Sequence, residues 1–257
     1  MKRNLLLVAA ALVLIPATAF PNIFTLRAGY YFPKASGGPD SLWQIEFDQM
    51  SFKKSDFRGT LIGGSYEYFA SKNLSIELSI DTYGKRKGGY YRDYVGYTFD
   101  EGDFAFPSDI YEGDFDIAHG FNVSITPVQL SVKLMPLGRR NRFIPYVGAG
   151  VGAYFWNVSL RGSMVDFTDE WFYDDPDLGE IPIYGIYQTD AREDTRVAFG
   201  YHAFAGLMFP IGNRVTISAE FRYHAATGKW AEDSAFVDFE DFDLGGSALT
   251  VGLNYWF

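Results

Sequence analysis

The chain has no cysteine among its 257 residues, which excludes disulfides, thiolate metal sites and a lipidated N-terminal cysteine. Histidine is scarce as well. His119, His202 and His224 are scattered, with no i, i+4 pair, so a histidine metal site lacks support. Basic residues are outnumbered, 22 Lys and Arg against 32 Asp and Glu, and nucleic-acid binding needs the opposite balance. Long apolar runs are missing too. Leu5 to Ile15 gives only eleven apolar positions, short of the roughly 17–25 that span a membrane as a helix.

That first segment, "MKRNLLLVAAALVLIPATA", has the three parts of a secretory signal: Lys2 and Arg3, an apolar stretch, and Ala17-Thr18-Ala19 as the cleavage site. Residues 1–19 are therefore read as a cleaved signal and 20–257 as the mature domain. Removing Lys2 and Arg3 takes the formal charge from −10 to −12.

Aromatic rings are what the chain has in excess, with 24 Phe and 18 Tyr, although its mean hydropathy is only −0.08. Soluble cores rarely need so many rings, whereas a membrane barrel uses them in girdles at its two interfaces. Eight segments read as strands: 24–32, 57–69, 74–83, 118–135, 143–159, 195–209, 214–224 and 246–257. Their connections alternate long and short. The short ones, "ASKN", "GRRNR" and "IGN", have tight-turn compositions. The long ones, near 33–56, 84–116, 160–194 and 225–245, hold 28 of the 32 acidic residues. Outer-membrane barrels sort their periplasmic turns and outer loops in this way.

The remaining carboxylates fix the faces. Glu77 and Asp81 oppose the row Leu74, Ile76, Leu78 and Ile80. Glu220 and Arg222 oppose Val215, Ile217, Ala219, Phe221 and Tyr223. Glu67, Lys133 and Arg27 likewise lie on the less apolar side of their strands. A Lys or Arg facing lipid at mid-membrane is disfavoured by about 2–4 kcal/mol, so the greasy rows face lipid and the charged rows fill the interior. Arg27, Glu67, Glu77, Asp81, Lys133, Glu220 and Arg222 are thus expected to form a structural ion-pair network. In it, Glu77 or Asp81 should meet Lys133, and Glu220 should meet a lumen arginine. The expected fold is all-β, a closed antiparallel eight-stranded transmembrane β-barrel with long extracellular loops and short periplasmic turns. Ten strands would result if "GKRKGG" turned a hairpin between 74–83 and 90–99, but the poor alternation there favours an extension above the membrane.

"PYVGAGVGAYFW", the ending "LTVGLNYWF" and the signal segment together resemble the small eight-stranded outer-membrane β-barrel superfamily, with its OmpA-type and OmpW-type members. The resemblance implies a place in the outer membrane of a Gram-negative bacterium, with lipid and lipopolysaccharide as surroundings. It also implies that Tyr255 and Phe257, in the terminal aromatic strand, are read by the barrel-insertion machinery. Gly148, Gly150 and Gly152 form a bare stripe on the inner face, expected to let bulky lumen side chains approach the wall.

"EFRYHAATGKWAED" is similar to the seventh strand of outer-membrane lipid A deacylases, which place a Ser two residues after the His. Here Ala226 follows His224, and Thr227 is one step out of register and so on the opposite face. No catalytic residue and no cofactor is expected. The acidic loops suit divalent cations, but none has EF-hand spacing. The leading expectation is a non-enzymatic barrel, structural or a narrow passive conduit for small solutes, hydrophobic ones among them. The alternative is a surface adhesion or ligand-binding barrel acting through its acidic aromatic loops. A lipid A-modifying enzyme ranks last.

Overall fold

The computed structural model describes residues 22–138 and 141–257. The segment read as a signal, and Arg139 and Arg140 of the "GRRNR" turn, lie outside them. Eight strands make the barrel: β1 (Ile23–Pro33), β2 (Gly59–Phe69), β3 (Leu74–Tyr90), β6 (Ala118–Leu134), β7 (Ile144–Asp175), β8 (Gly179–Pro210), β9 (Val215–Gly228) and β11 (Gly246–Trp256). Each pairs antiparallel with the next, and β11 returns to β1 with Tyr255 opposite Phe24 and Leu249 opposite Tyr30. Closure removes the sheet edges that hydrocarbon cannot solvate.

The alternation read from the sequence sets the faces. Leu26, Ile62, Val151, Phe221 and Leu253 stand exposed on the outer wall, and the seven charged residues of the inner rows are buried. Tyr66, Tyr255 and Phe257 cluster at the short-turn end of the wall. Tyr30 and Phe32 sit toward the long-loop end, their rings 5.4 Å apart.

Above the membrane the sequence reading needs correction. The stretch 160–194 is not a loop, because β7 and β8 each run 32 residues and pair almost to their tip. One face of this extension is covered only at intervals, at Leu160, Val165, Ile181 and Ile183, so no continuous apolar row marks it in the sequence, and shifts of register at Trp156/Val158 and Asp166/Glu170 break the period further. At "GKRKGG" the expected extension is present: the segment lies within β3, which continues to Tyr90 opposite Ala118. The hairpin comes later, as β4 (Tyr94–Phe99) and β5 (Gly102–Pro107), and β5 joins β8 at Phe104 and Ala105. A two-residue strand β10 (Phe242–Asp243) pairs with the end of β9.

The first long connection holds a helix that strand periodicity did not reveal, α1 (Leu42–Gln49). Ser41 caps it, its Oγ accepting from the Gln44 N–H at 3.2 Å. A single 3-10 turn, Lys54–Phe57, returns the chain to β2.

Candidate functional site: a filled lumen beneath an extracellular sheet

Three layers fill the barrel. At the short-turn end Ile23, Phe69, Met135, Ile144, Tyr146, Phe204 and Met208 form a buried apolar cluster, with Trp256 packed against it. The middle layer is ionic. Arg27 donates to Asp81 through Nε at 2.7 Å and Nη2 at 2.8 Å. Lys133 Nζ lies 2.8 Å from Glu67 and 3.4 Å from Glu77. Arg222 Nη2 is 3.0 Å from Glu77 and 2.9 Å from Glu220.

All seven charged residues predicted to line the lumen meet in this cluster. Lys133 has Glu77 as a partner but is closer to Glu67, and Asp81 goes to Arg27 instead. Glu67 and Glu77 stand directly opposite on β2 and β3, a like-charge pairing that Lys133, between them, offsets. Neutral side chains take up the remaining donors and acceptors. Gln129 accepts from Arg222 at 2.8 Å, Tyr146 donates to Glu220 at 3.1 Å, and Ser75 donates to Glu67. Two rings cover the cations: Lys133 Nζ is 4.2 Å from the Tyr146 centroid and Arg222 Cζ is 4.4 Å from that of Phe204. The glycine stripe makes room for them. A Cβ on Gly148 would collide with the Phe204 ring, and one on Gly150 with the β6 backbone at Leu130 and Ser131.

The upper layer is aromatic and is brought in by the loops. Trp43 of α1 stacks on Phe242 at 5.0 Å and packs against Phe57 and Phe121, each at 5.1 Å. Trp156 stacks on the other side of Phe242 at 5.6 Å. Trp43 Nε1 donates to the Asp243 carbonyl at 3.1 Å, joining the first and fourth long connections over the barrel mouth. One polar contact fixes the helix to the wall: His119 Nε2 and Glu46 Oε2 are 2.8 Å apart, both residues buried. Composition could not have found this layer. Its residues are far apart in sequence, and α1 carries none of the strand alternation that located the barrel.

The histidines also prove to be placed. His224 Nδ1 is 3.1 Å from Gln129 Nε2, and His202 Nε2 shares a 2.7 Å hydrogen bond with Ser131 Oγ. These pairs lie inside the filled lumen, with Ser131 and His202 each 1% exposed. Among the described residues no partner bonds His202 Nδ1, so the Ser–His pair lacks the third, orienting group of a triad. Ala226 is buried on the His224 face and Thr227 is exposed on the other.

Outside the barrel, β7 and β8 carry the β4–β5 hairpin against an aromatic cluster of Phe104, Phe106, Tyr97, Tyr111, Tyr173 and Ile183. At about 3.3 Å per residue, strands of 32 residues are about 105 Å long, where about 9–11 residues cross the membrane. Trp171, Phe172 and Leu178 stand 50%, 64% and 60% exposed near the tip. There Asp175 accepts from the Asp177 N–H at 2.9 Å and the Tyr111 hydroxyl at 2.8 Å. These bonds hold its carboxyl below the usual range. Among the described residues no group of three or more His, Asp or Glu converges as a metal shell.

A family model described as "Outer membrane protein beta-barrel domain" matches residues 5–257. No curated protein matches. Among solved structures, Neisserial surface protein A is 10% identical with a TM-score of 0.46, covering 92% of this chain and 97% of its own. Outer membrane protein W of E. coli is 15% identical at TM-score 0.40, with coverage of 92% and 97%. Ail, the attachment invasion locus protein of Yersinia pestis, is 12% identical at TM-score 0.40, again with 92% and 97% covered. The family match across nearly the whole chain agrees with the closed eight-stranded barrel, the lipid-facing rows and the buried ionic centre, and this chain belongs to the outer-membrane protein β-barrel domain family of the Gram-negative outer membrane.

Proposed function

We propose that this protein is a non-enzymatic surface-binding barrel, in which a filled transmembrane cylinder anchors an extracellular sheet that contacts a ligand outside the cell. The observation that carries this reading is the length of β7 and β8, 32 residues each, together with the exposed aromatic and acidic side chains at their tip. Rings and carboxylates side by side suit a sugar or a cationic polypeptide. The three packed layers in the lumen count against the conduit, because a solute would have to displace buried ion pairs and two apolar clusters. The sealed Ser131–His202 pair and the alanine after His224 count against catalysis.

Residues 1–19 act in this reading as a cleaved secretory signal, and Tyr255 and Phe257 as the signal that the insertion machinery reads. The loop carboxylates serve as diffuse counter-charge for divalent cations and not as a resident site. Cells displaying the full chain, and cells displaying a chain with the β7–β8 extension cut back to a tight turn near the mouth, should be compared on glycan arrays and on immobilised basic proteins. Retention by the full chain alone, with equal barrel yield, supports the proposal. Equal retention by both, together with steady bilayer conductance, would return the conduit reading.

A further inference from the structure

The outer wall carries a second charge pattern, independent of the extracellular sheet. On β2, β3, β6 and β7 the outward rows are apolar from the short-turn end upward, for example Leu74, Ile76, Leu78 and Ile80 on β3. Above them the rows turn polar at one level. Thr82 and Thr126 face each other with hydroxyls 3.3 Å apart, followed by Ser124 and Asn157 as cross-strand neighbours, then Asn122 opposite both Arg86 and Ser159. Carrying the β2–β3 register, in which Leu61 faces Tyr83, three residues on brings Arg58 alongside Arg86. Twelve residues separate Leu74 from Arg86. At about 3.3 Å each, on strands tilted about 35–45°, that is about 30 Å of height, the thickness of the hydrocarbon layer.

Charge sorting makes this level distinct. The outer loops are strongly acidic, yet the outward rows of these four strands contain no Asp or Glu from Arg58 to Phe69, Leu74 to Tyr90, Ala118 to Leu134 or Pro145 to Arg161. Arg161 is taken, with Nη2 2.5 Å from Asp190 of β8. Arg58 and Arg86 have no carboxylate partner among the described residues. Both are exposed, Arg58 lies 5.7 Å from the Phe32 ring centroid, and the Arg86 guanidinium lies over Gly120 of β6. Guanidinium forks match phosphate oxygens in two-point contacts, and hydroxyl and amide side chains around them suit sugar hydroxyls.

We propose that Arg58, Arg86, Asn122 and Ser159 form a docking face for the phosphate-bearing headgroup of an outer-leaflet glycolipid, with its acyl chains along the apolar rows below. The occupant follows from the level of the patch, its positive charge and its continuity with a lipid-facing surface. A soluble protein partner would have to reach this wall through the bilayer headgroups.

Native mass spectrometry of the full mature chain, released from nanodiscs, tests the assignment. The probes are bisphosphorylated lipid A, the same lipid enzymatically dephosphorylated, and phosphatidylethanolamine. The wild-type chain should retain the bisphosphorylated lipid about tenfold or more over its dephosphorylated form, since each interfacial arginine adds appreciably to the binding of anionic lipid. Arg58→Gln with Arg86→Gln should bring the two lipids to parity, while Arg214→Gln, in the short turn before β9 at the opposite end of the barrel, should keep the preference. An unchanged preference in the double variant overturns the proposal, and so does displacement of the lipid by inorganic phosphate at equal concentration, which would mark a free-anion site. If the double variant does not fold, equal retention of the two lipid A forms by the wild-type chain overturns it alone.

Discussion

Arg27 and Asp81, on strands separated by β2, meet side by side in the centre of the barrel through two hydrogen bonds of 2.7 and 2.8 Å. Neither is exposed to water; among the described residues Arg27 is the only ion-pair partner of Asp81, whereas Arg27 also has Glu77 at 3.4 Å and Glu220 at 3.9 Å. Their separation of 54 residues in sequence makes the pair a statement about closure: it forms only when β1, β2 and β3 are in register. Asp81→Leu should destabilise the barrel by about 3 kcal/mol, the low end for breaking a buried pair, because Glu77 at 3.4 Å still partly offsets Arg27. Adding Arg27→Met should recover most of the loss. Denaturant unfolding in detergent micelles checks both, and a double variant as weak as the single one would contradict the pairing.

Planar bilayers with the wild-type chain are expected to show no steady conductance. Deleting residues 34–57, which removes α1 and its turn, should leave them closed. The ionic layer and the apolar cluster at the other end remain in place. An open channel in the deletion variant would mean that α1 alone holds the lumen shut.

Glu46→Gln and Trp43→Ala probe the upper layer differently. The first replaces the carboxyl that hydrogen-bonds His119 and should raise amide exchange across 42–57 without altering β1 to β3. The second leaves a cavity against Phe57, Phe121 and Phe242 and should cost about 3–5 kcal/mol, also confined to this layer. Hydrogen-exchange mass spectrometry separates local from global loosening.

At the tip of the extracellular sheet the pH dependence has a fixed sign. The Asp175 carboxyl is held below its ordinary value by the Asp177 N–H, then by the Tyr111 hydroxyl. Its contribution is therefore complete above the ordinary aspartate range near about 4 and lost as pH falls through the lowered value. The protection of amides 175–178, measured relative to intrinsic exchange at each pH, should stay constant from neutral pH down to that range and fall below it. Asp175→Asn should flatten the response.

Deleting Phe257 should lower the amount of barrel in the outer membrane of expressing cells severalfold, while the same variant refolds in detergent with near-native stability. The residue is 51% exposed on the outer wall and, among the described residues, its aromatic neighbours are Tyr66 and Tyr255, so the folded state loses little beyond the two backbone hydrogen bonds that Phe257 exchanges with Asn22. Comparing membrane yield with refolding midpoints separates biogenesis from packing.

The barrel was legible because lipid and lumen impose opposite demands on alternate residues, and rows such as Val215, Ile217, Ala219, Phe221 and Tyr223 record that directly. The inner charges could be assigned to one network, although which partner each takes depends on shear and side-chain reach. Lys133 therefore lies closer to Glu67 than to Glu77. Above the membrane the two-sided demand ends. Residues 160–194 are strand without an apolar row, and α1 is a single short helix held by tertiary contacts. The role of His119 depends on Glu46, 73 residues away, and no spacing rule connects them.

The apolar clusters at both mouths have a consequence for the cell envelope. A barrel stoppered at each end can be displayed in high copy number without leaking ions, nutrients or small toxins.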